Sequence, residues 1–155
     1  MNITIVYDSV FGNTAQVAKA IAAALEPGNI VRLATVQEAR QIDLAGTDLL
    51  IVGSPTRGFR PTPMIAEYVE GLSLRAGTRA AAFDTRIDLE TVHPVPLRWV
   101  VDAGGYAATR IANSFDHHGF AAAGEPAGFI VLGTEGPLKD GEVERAQGWA
   151  KSLAA

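Results

Sequence analysis

Short apolar runs alternate with segments of helical period along the whole chain. The first run, residues 2–7, is β-branched and apolar on both sides of the backbone, which predicts a strand buried on both faces. Asn13-Thr14 then opens a segment in which Val17, Ala18, Ile21 and Leu25 recur at helical spacing, closed by Pro27-Gly28. A second strand is predicted over 30–33 and a short helix over 37–42. Leu49-Leu50-Ile51-Val52-Gly53 is apolar throughout and predicts a central third strand, followed by the turn-rich stretch 54–62. Pro63 suits the first turn of a helix carrying Ile65, Tyr68, Val69 and Leu72, because a missing N–H costs nothing there. A fourth strand is predicted over 78–83, a fourth helix over 106–117 and a fifth strand over 127–132. The last helix begins near Asp140 and presents Val143, Ala146, Trp149, Ala150 and Leu153 on one face. Five strands alternating with five helices predict an α/β doubly wound parallel sheet between two helical layers, in a single domain spanning residues 1–155. Such sheets bind ligands beyond the carboxyl ends of their strands, at a switch point in the strand order.

Composition narrows the chemistry. The chain has no cysteine, which excludes disulfides, thiolate metal sites and thiol catalysis, so a redox role requires a bound cofactor. A net charge of -4 with scattered acids and bases gives no footprint for nucleic acid. No apolar stretch reaches membrane-spanning length and no export signal precedes the first strand, so the expectation is a cytoplasmic protein without membrane contact. His117-His118 closes a predicted helix, where imidazolium suits the dipole, and adjacent residues there point apart, so no metal site is expected.

The loop Ser9-Val10-Phe11-Gly12-Asn13-Thr14 lies between a buried strand and a helix start, where unpaired N–H groups and the positive end of the helix dipole favour an anion. Ser9 and Thr14 add hydroxyls, Gly12 permits close backbone approach, and Asn13 can satisfy a turn or the helix N-cap. The loop has no lysine or arginine and no G-x-G-x-x-G spacing, so one phosphate monoester fits it better than a di- or triphosphate. The alternative is that Ser9 and Asn13 only cap the helix.

The run Tyr7 to Thr14, followed by Val17-Ala18, resembles the phosphate loop of flavodoxins, and Gly53-Ser54-Pro55-Thr56 resembles that family's second flavin loop. The resemblance covers the chain in element order and implies a flavodoxin-like three-layer sandwich with strand order 2-1-3-4-5. It further implies that Ser9 to Thr14 hold the phosphate of FMN, while Ser54, Pro55, Thr56, Arg57, Gly58 and Phe59 line its ribityl chain and ring. Phe59 supplies either an aromatic wall or a core anchor for its loop. Gly58 either lets the adjacent peptide turn as ring nitrogen N5 gains a proton, as in flavodoxins, or is an ordinary turn glycine.

A third flavin loop is expected at Asp84-Thr85-Arg86, after the fourth strand. Here the chain departs from the best-known flavodoxins: it lacks their Gly-Asp pair and stacking tyrosine and continues into a long aperiodic stretch, residues 87–105. Trp99 in that stretch either covers the ring or packs on the domain or a second subunit. Arg57, Arg60 and Arg86 also depart from the family's acidic habit; they either raise the potential of the reduced flavin or are solvated or paired with Asp84 and Asp88. The expected function is electron transfer by bound FMN between a reductase and an acceptor protein, as a monomer or weak homodimer, with no catalytic side chain. The alternatives are an NAD(P)H- or quinone-dependent FMN oxidoreductase and a flavin-free anion-binding or regulatory module.

Overall fold

Every strand and helix expected from the apolar pattern is present in the computed structural model, which describes residues 1–73, 77–87 and 106–155. In chain order these are β1 (Asn2–Tyr7), α1 (Asn13–Leu25), β2 (Ile30–Thr35), α2 (Val36–Ala39), β3 (Leu49–Pro55), α3 (Pro63–Glu70) and β4 (Arg79–Ile87). After the segment 88–105 follow α4 (Ala107–His117), β5 (Ala121–Ala122), β6 (Ala127–Val131) and α5 (Glu142–Ala154). The strands are parallel in the order β2-β1-β3-β4, with β5 and β6 both pairing with β4. The expected 2-1-3-4-5 topology therefore holds, and the fifth position is filled by two segments. Gly124-Glu125-Pro126 separates them, and proline has no N–H to give to a ladder.

The two faces of the sheet bury separate clusters, because successive strand residues point to opposite sides. Ile3, Ile5, Leu49 and Ile51 pack under α1 and α5 with Val17, Ile21 and Leu153. Val6, Leu50 and Val52 pack on the other side with Ile65 and Val69 of α3 and with Ile111 and Phe115 of α4. Phe83, Phe129 and Trp149 form an edge-to-face trio with ring centroids 6.1–6.3 Å apart. No helix of the described residues is long and apolar enough to cross a membrane.

Several boundaries differ from the sequence pattern for local reasons. The second helix is a single turn starting one residue earlier than expected, because Thr35 and Glu38 form a capping box: Glu38 N–H donates to Thr35 Oγ1 at 3.3 Å, and Thr35 N–H donates to Glu38 Oε1 at 3.0 Å. The fourth strand runs to Ile87 instead of Phe83, because residues 83–87 pair with 127–131 of β6. Asp84, Thr85 and Arg86 thus belong to a strand and not to a loop.

His118 joins the carboxyl ends of α3 and α4. Its Nδ1 lies 2.8 Å from Ser114 O and its Nε2 3.1 Å from Glu70 O, and since both partners only accept, the imidazolium alone satisfies both. The Ser114 carbonyl and then that of Glu70 raise its pKa above the ordinary 6.5. A raised histidine pKa gives stability that is complete below the unfolded value and is lost as pH rises through the folded one. Urea unfolding midpoints are expected to fall as pH rises above 6.5, and this fall to flatten in His118→Gln. An imidazole titrating at or below 6.5 by NMR would refute the assignment.

Candidate functional site

A cavity of about 280 Å³ opens at the carboxyl ends of β1, β3, β4 and β6, where parallel sheets place ligands. Its first wall is the loop between β1 and α1. Ser9 turns its Oγ inward and accepts the N–H groups of Gly12 at 3.1 Å and Ala15 at 3.3 Å, so it caps the helix from within the loop while its hydroxyl hydrogen stays available to donate. Gly12, at φ 99°, supplies the left-handed turn that aims the following N–H groups along the helix axis. Among the described residues, the N–H groups of Val10, Phe11, Asn13 and Thr14 have no acceptor. Four such donors at the positive end of a 13-residue helix, with no cation in the loop, fit one phosphate group.

Two side chains of this loop do something other than expected. Asn13 does not cap the helix; its Nδ2 donates to Glu135 O at 3.1 Å and ties the loop to the one after β6. Thr14 is buried, and its hydroxyl meets that of Thr85 at 2.8 Å, joining the phosphate-type loop to β4. Val10 and Phe11 are each 47% exposed, an apolar pair at the cavity wall.

The second wall is the segment after β3. Arg57 and Arg60 exchange backbone hydrogen bonds of 2.8 and 3.0 Å, and the residues between them, Gly58 (φ 55°) and Phe59 (φ 67°), are both left-handed, as a tight primed turn requires. A left-handed phenylalanine is uncommon and strained, so its surroundings must hold it; its carbonyl accepts Arg110 Nε at 2.8 Å. Pro55, Thr56, Arg57 and Gly58 line the cavity, whereas Phe59 lies outside the lining and Phe11 supplies the aromatic surface, with the Arg57 guanidinium 5.9 Å from its centroid. Ser54 is wholly buried; its hydroxyl donates to Pro55 O and accepts Thr62 N–H, each at 2.9 Å, which folds the segment back toward α3.

The third wall is β4. Thr85, Arg86 and Ile87 line the cavity; Asp84 sits behind them with no exposed surface. Arg86 grips Asp84 through two bonds of 2.7 Å, Nε to Oδ1 and Nη2 to Oδ2, and Asp84 Oδ2 also accepts the N–H of Ala108 at 2.9 Å, in the first turn of α4. Thr56 Oγ1 accepts the neighbouring N–H of Ala107 at 3.1 Å, so α4 is capped by Asp84 of β4 and by Thr56 just beyond the end of β3. Burial pushes the Asp84 carboxyl above the usual carboxylate range, and Arg86 works against that shift. Of the two readings open for the arginines, Arg86 follows the pairing one, with Asp84; Asp88 lies outside the described residues.

The structure thus brings Ser9, Val10, Phe11, Asn13, Thr14, Pro55, Thr56, Arg57, Gly58, Thr85 and Arg86 to one cavity. Gly12, Ser54 and Asp84 shape it from behind, and Trp99 falls outside the described residues. Ile87, Val131 and Thr134 also line it and were not anticipated. The signal for Thr134 was present: a Gly-containing loop after the carboxyl end of the last strand is where a doubly wound sheet builds its site.

A family profile described as "Flavodoxin domain" matches residues 4–83, more than half of the 155-residue chain. No curated protein matches the chain by sequence. Among solved structures, it is similar to rubredoxin oxygen:oxidoreductase from Desulfovibrio gigas, with 21% identity and TM-score 0.75 over 99% of this chain. That match takes in only 35% of the larger protein, so the chain spans about a third of its length. Flavodoxin 2 from Bacillus cereus matches over 99% of this chain and 98% of its own, with 23% identity and TM-score 0.74. A Streptococcus pneumoniae flavodoxin does so over 99% and 98%, with 18% identity and TM-score 0.71. At such identities these structures establish the fold. With the anion loop and the 54–60 turn both inside the matched segment, the chain belongs to the flavodoxin-domain family, membership of which implies flavin binding.

Proposed function

We propose that this chain binds FMN and carries electrons between a reductase and an acceptor protein. The observation that carries the reading is the set of four acceptor-free N–H groups at the start of α1, facing a cavity with a hydroxyl-rich and apolar lining. Val10, Phe11, Asn13 and Thr14 would hold the phosphate through the backbone, helped by Ser9 Oγ, and Thr56, Thr85 and Thr134 offer hydroxyls farther along the cavity. The bound flavin would supply the redox chemistry, and the protein would bind, orient and tune it. The appearance of this fold as one part of a protein named rubredoxin oxygen:oxidoreductase supports a role that hands electrons to separate machinery.

Titration of the apoprotein with FMN and with riboflavin, followed by fluorescence quenching, tests the phosphate grip. FMN is expected to bind at least tenfold more tightly, since a charge-assisted hydrogen bond contributes about 1.5–3 kcal/mol. Ser9→Ala is expected to weaken FMN binding about tenfold, leave riboflavin binding unchanged, and cost about 1 kcal/mol of apoprotein stability through the lost cap. Equal affinity for the two flavins would refute the loop assignment. Consumption of NADPH by the FMN-loaded protein without an added reductase would replace the carrier with the oxidoreductase reading.

A further inference from the structure

Arg86 is held by Asp84, by Tyr106 and by the tight space at Gly128. In its own plane the guanidinium is bonded twice to Asp84 at 2.7 Å. One face lies 3.6 Å from the centroid of Tyr106, and toward β6 Gly128 leaves so little room that a Cβ there would sit 2.1 Å from Nε. The Arg86 side chain is 21% exposed and lines the cavity, whereas that of Asp84 is 0% exposed. The bridge spends one N–H at Nε and one at Nη2, and a guanidinium has five in all. The charge of this cavity-wall arginine is therefore matched by a carboxylate fixed directly behind it.

We propose that Asp84 is a positioning residue for the cofactor: it locks Arg86 in the cavity wall and cancels its charge, so that the wall offers N–H donors without a net positive field. The inference rests on the flavin reading above. The ligand groups that such a wall suits are uncharged acceptors, the carbonyl oxygens and ring nitrogens of a heteroaromatic ring. A bare arginine in the same place would favour the more negative, reduced ring through its charge. The pair leaves the oxidised and reduced forms far closer in affinity, and Ala108 N–H on Asp84 Oδ2 holds the arrangement to the start of α4.

The test is a charge cycle on the FMN-loaded protein, read as the midpoint potential at pH 7 and, independently, as the FMN dissociation constant of the oxidised form. Asp84→Asn exposes an uncompensated Arg86 and is expected to raise the affinity ratio of reduced over oxidised flavin at least tenfold, ~30 mV for a two-electron couple. The double variant Asp84→Asn, Arg86→Gln is expected to return to within threefold of wild type. Arg86→Gln alone is expected to shift the ratio less than threefold, because a buried carboxyl deprived of its cation takes up a proton. An unchanged potential in Asp84→Asn overturns the proposal. Should that variant not fold, Arg86→Gln decides: a ratio lowered tenfold marks Arg86 as a free cation and overturns it, and a ratio within threefold supports it. Failure of wild type to bind either flavin would instead defeat the cofactor reading, a result visible before any variant is made.

Discussion

Gly53→Ala is expected to lower the stability of the apoprotein by about 3 kcal/mol, the upper end of the range for overpacking a core. A Cβ on Gly53 would lie 2.0 Å from Phe83 Cζ and 2.4 Å from both Cε atoms. Neither side has room to yield. Gly53 and Phe83 are register partners on the central strands β3 and β4, and the Phe83 ring is wedged edge-to-face between Phe129 and Trp149. In urea the variant should show a lower midpoint with an unchanged slope, and its thermal midpoint should fall by roughly 6–12 °C. Adding Phe83→Leu should restore part of the loss even though it removes buried surface, because it relieves the clash. A Gly53→Ala protein of wild-type stability would show that the ring moves aside freely, against this packing.

The second large effect is expected from Gly128→Ala. Here the added Cβ would fall 2.1 Å from Nε, 2.2 Å from Cζ and 2.4 Å from Nη2 of Arg86, and the Tyr106 ring limits retreat on the guanidinium face. The arginine must release Asp84, leaving a carboxyl with no exposed surface and, among the described residues, only the Ala108 N–H and the Thr56 hydroxyl as partners. Breaking a fully buried pair costs about 3–5 kcal/mol. Partial exposure of Arg86 and proton uptake by Asp84 reduce the expectation to about 2–3 kcal/mol. Since the folded pKa of Asp84 is raised, an unpaired Asp84 is tolerated while protonated and penalised once ionised. The deficit should therefore widen as pH rises through that pKa. In an Asp84→Asn background the same glycine change should cost less, and the difference measures the coupling. Additive costs would mean that Gly128 matters for a reason other than Arg86.

These two glycines show where reading along the chain stops. Gly53 stands in a motif that marks a flavin loop, yet its absent side chain is explained by a phenylalanine thirty positions away, on the neighbouring strand. Asp84-Thr85-Arg86 reads as loop chemistry because it is polar after an apolar run. It is strand because residues 83–87 have a partner in β6, and its two charges are tolerable at the sheet because each satisfies the other. Phe59 reads as an aromatic wall for a ring, but the left-handed turn at Gly58-Phe59 leaves it outside the lining and gives that surface to Phe11.

Local spacing was enough for the remainder. Periods of two and of three to four residues, the Pro63 helix start and a lysine-free turn before Asn13-Thr14 act through neighbours a few positions apart, so strand and helix order and the anion loop are legible in the residues themselves, while the equally local Thr35-x-x-Glu38 box went unread and the start of α2 with it. The ends of β4, the capping of α4 by Asp84 and Thr56, the Thr14–Thr85 hydroxyl pair and the setting of the neutralised arginine against Gly128 and Tyr106 are contacts between separate elements. Apart from the Asp84–Arg86 pair, whose members are two positions apart on β4, the hydrogen bonds among them join residues 24 to 71 positions apart, and which residues meet at such distances is decided by strand register and crossover, quantities that no local pattern encodes.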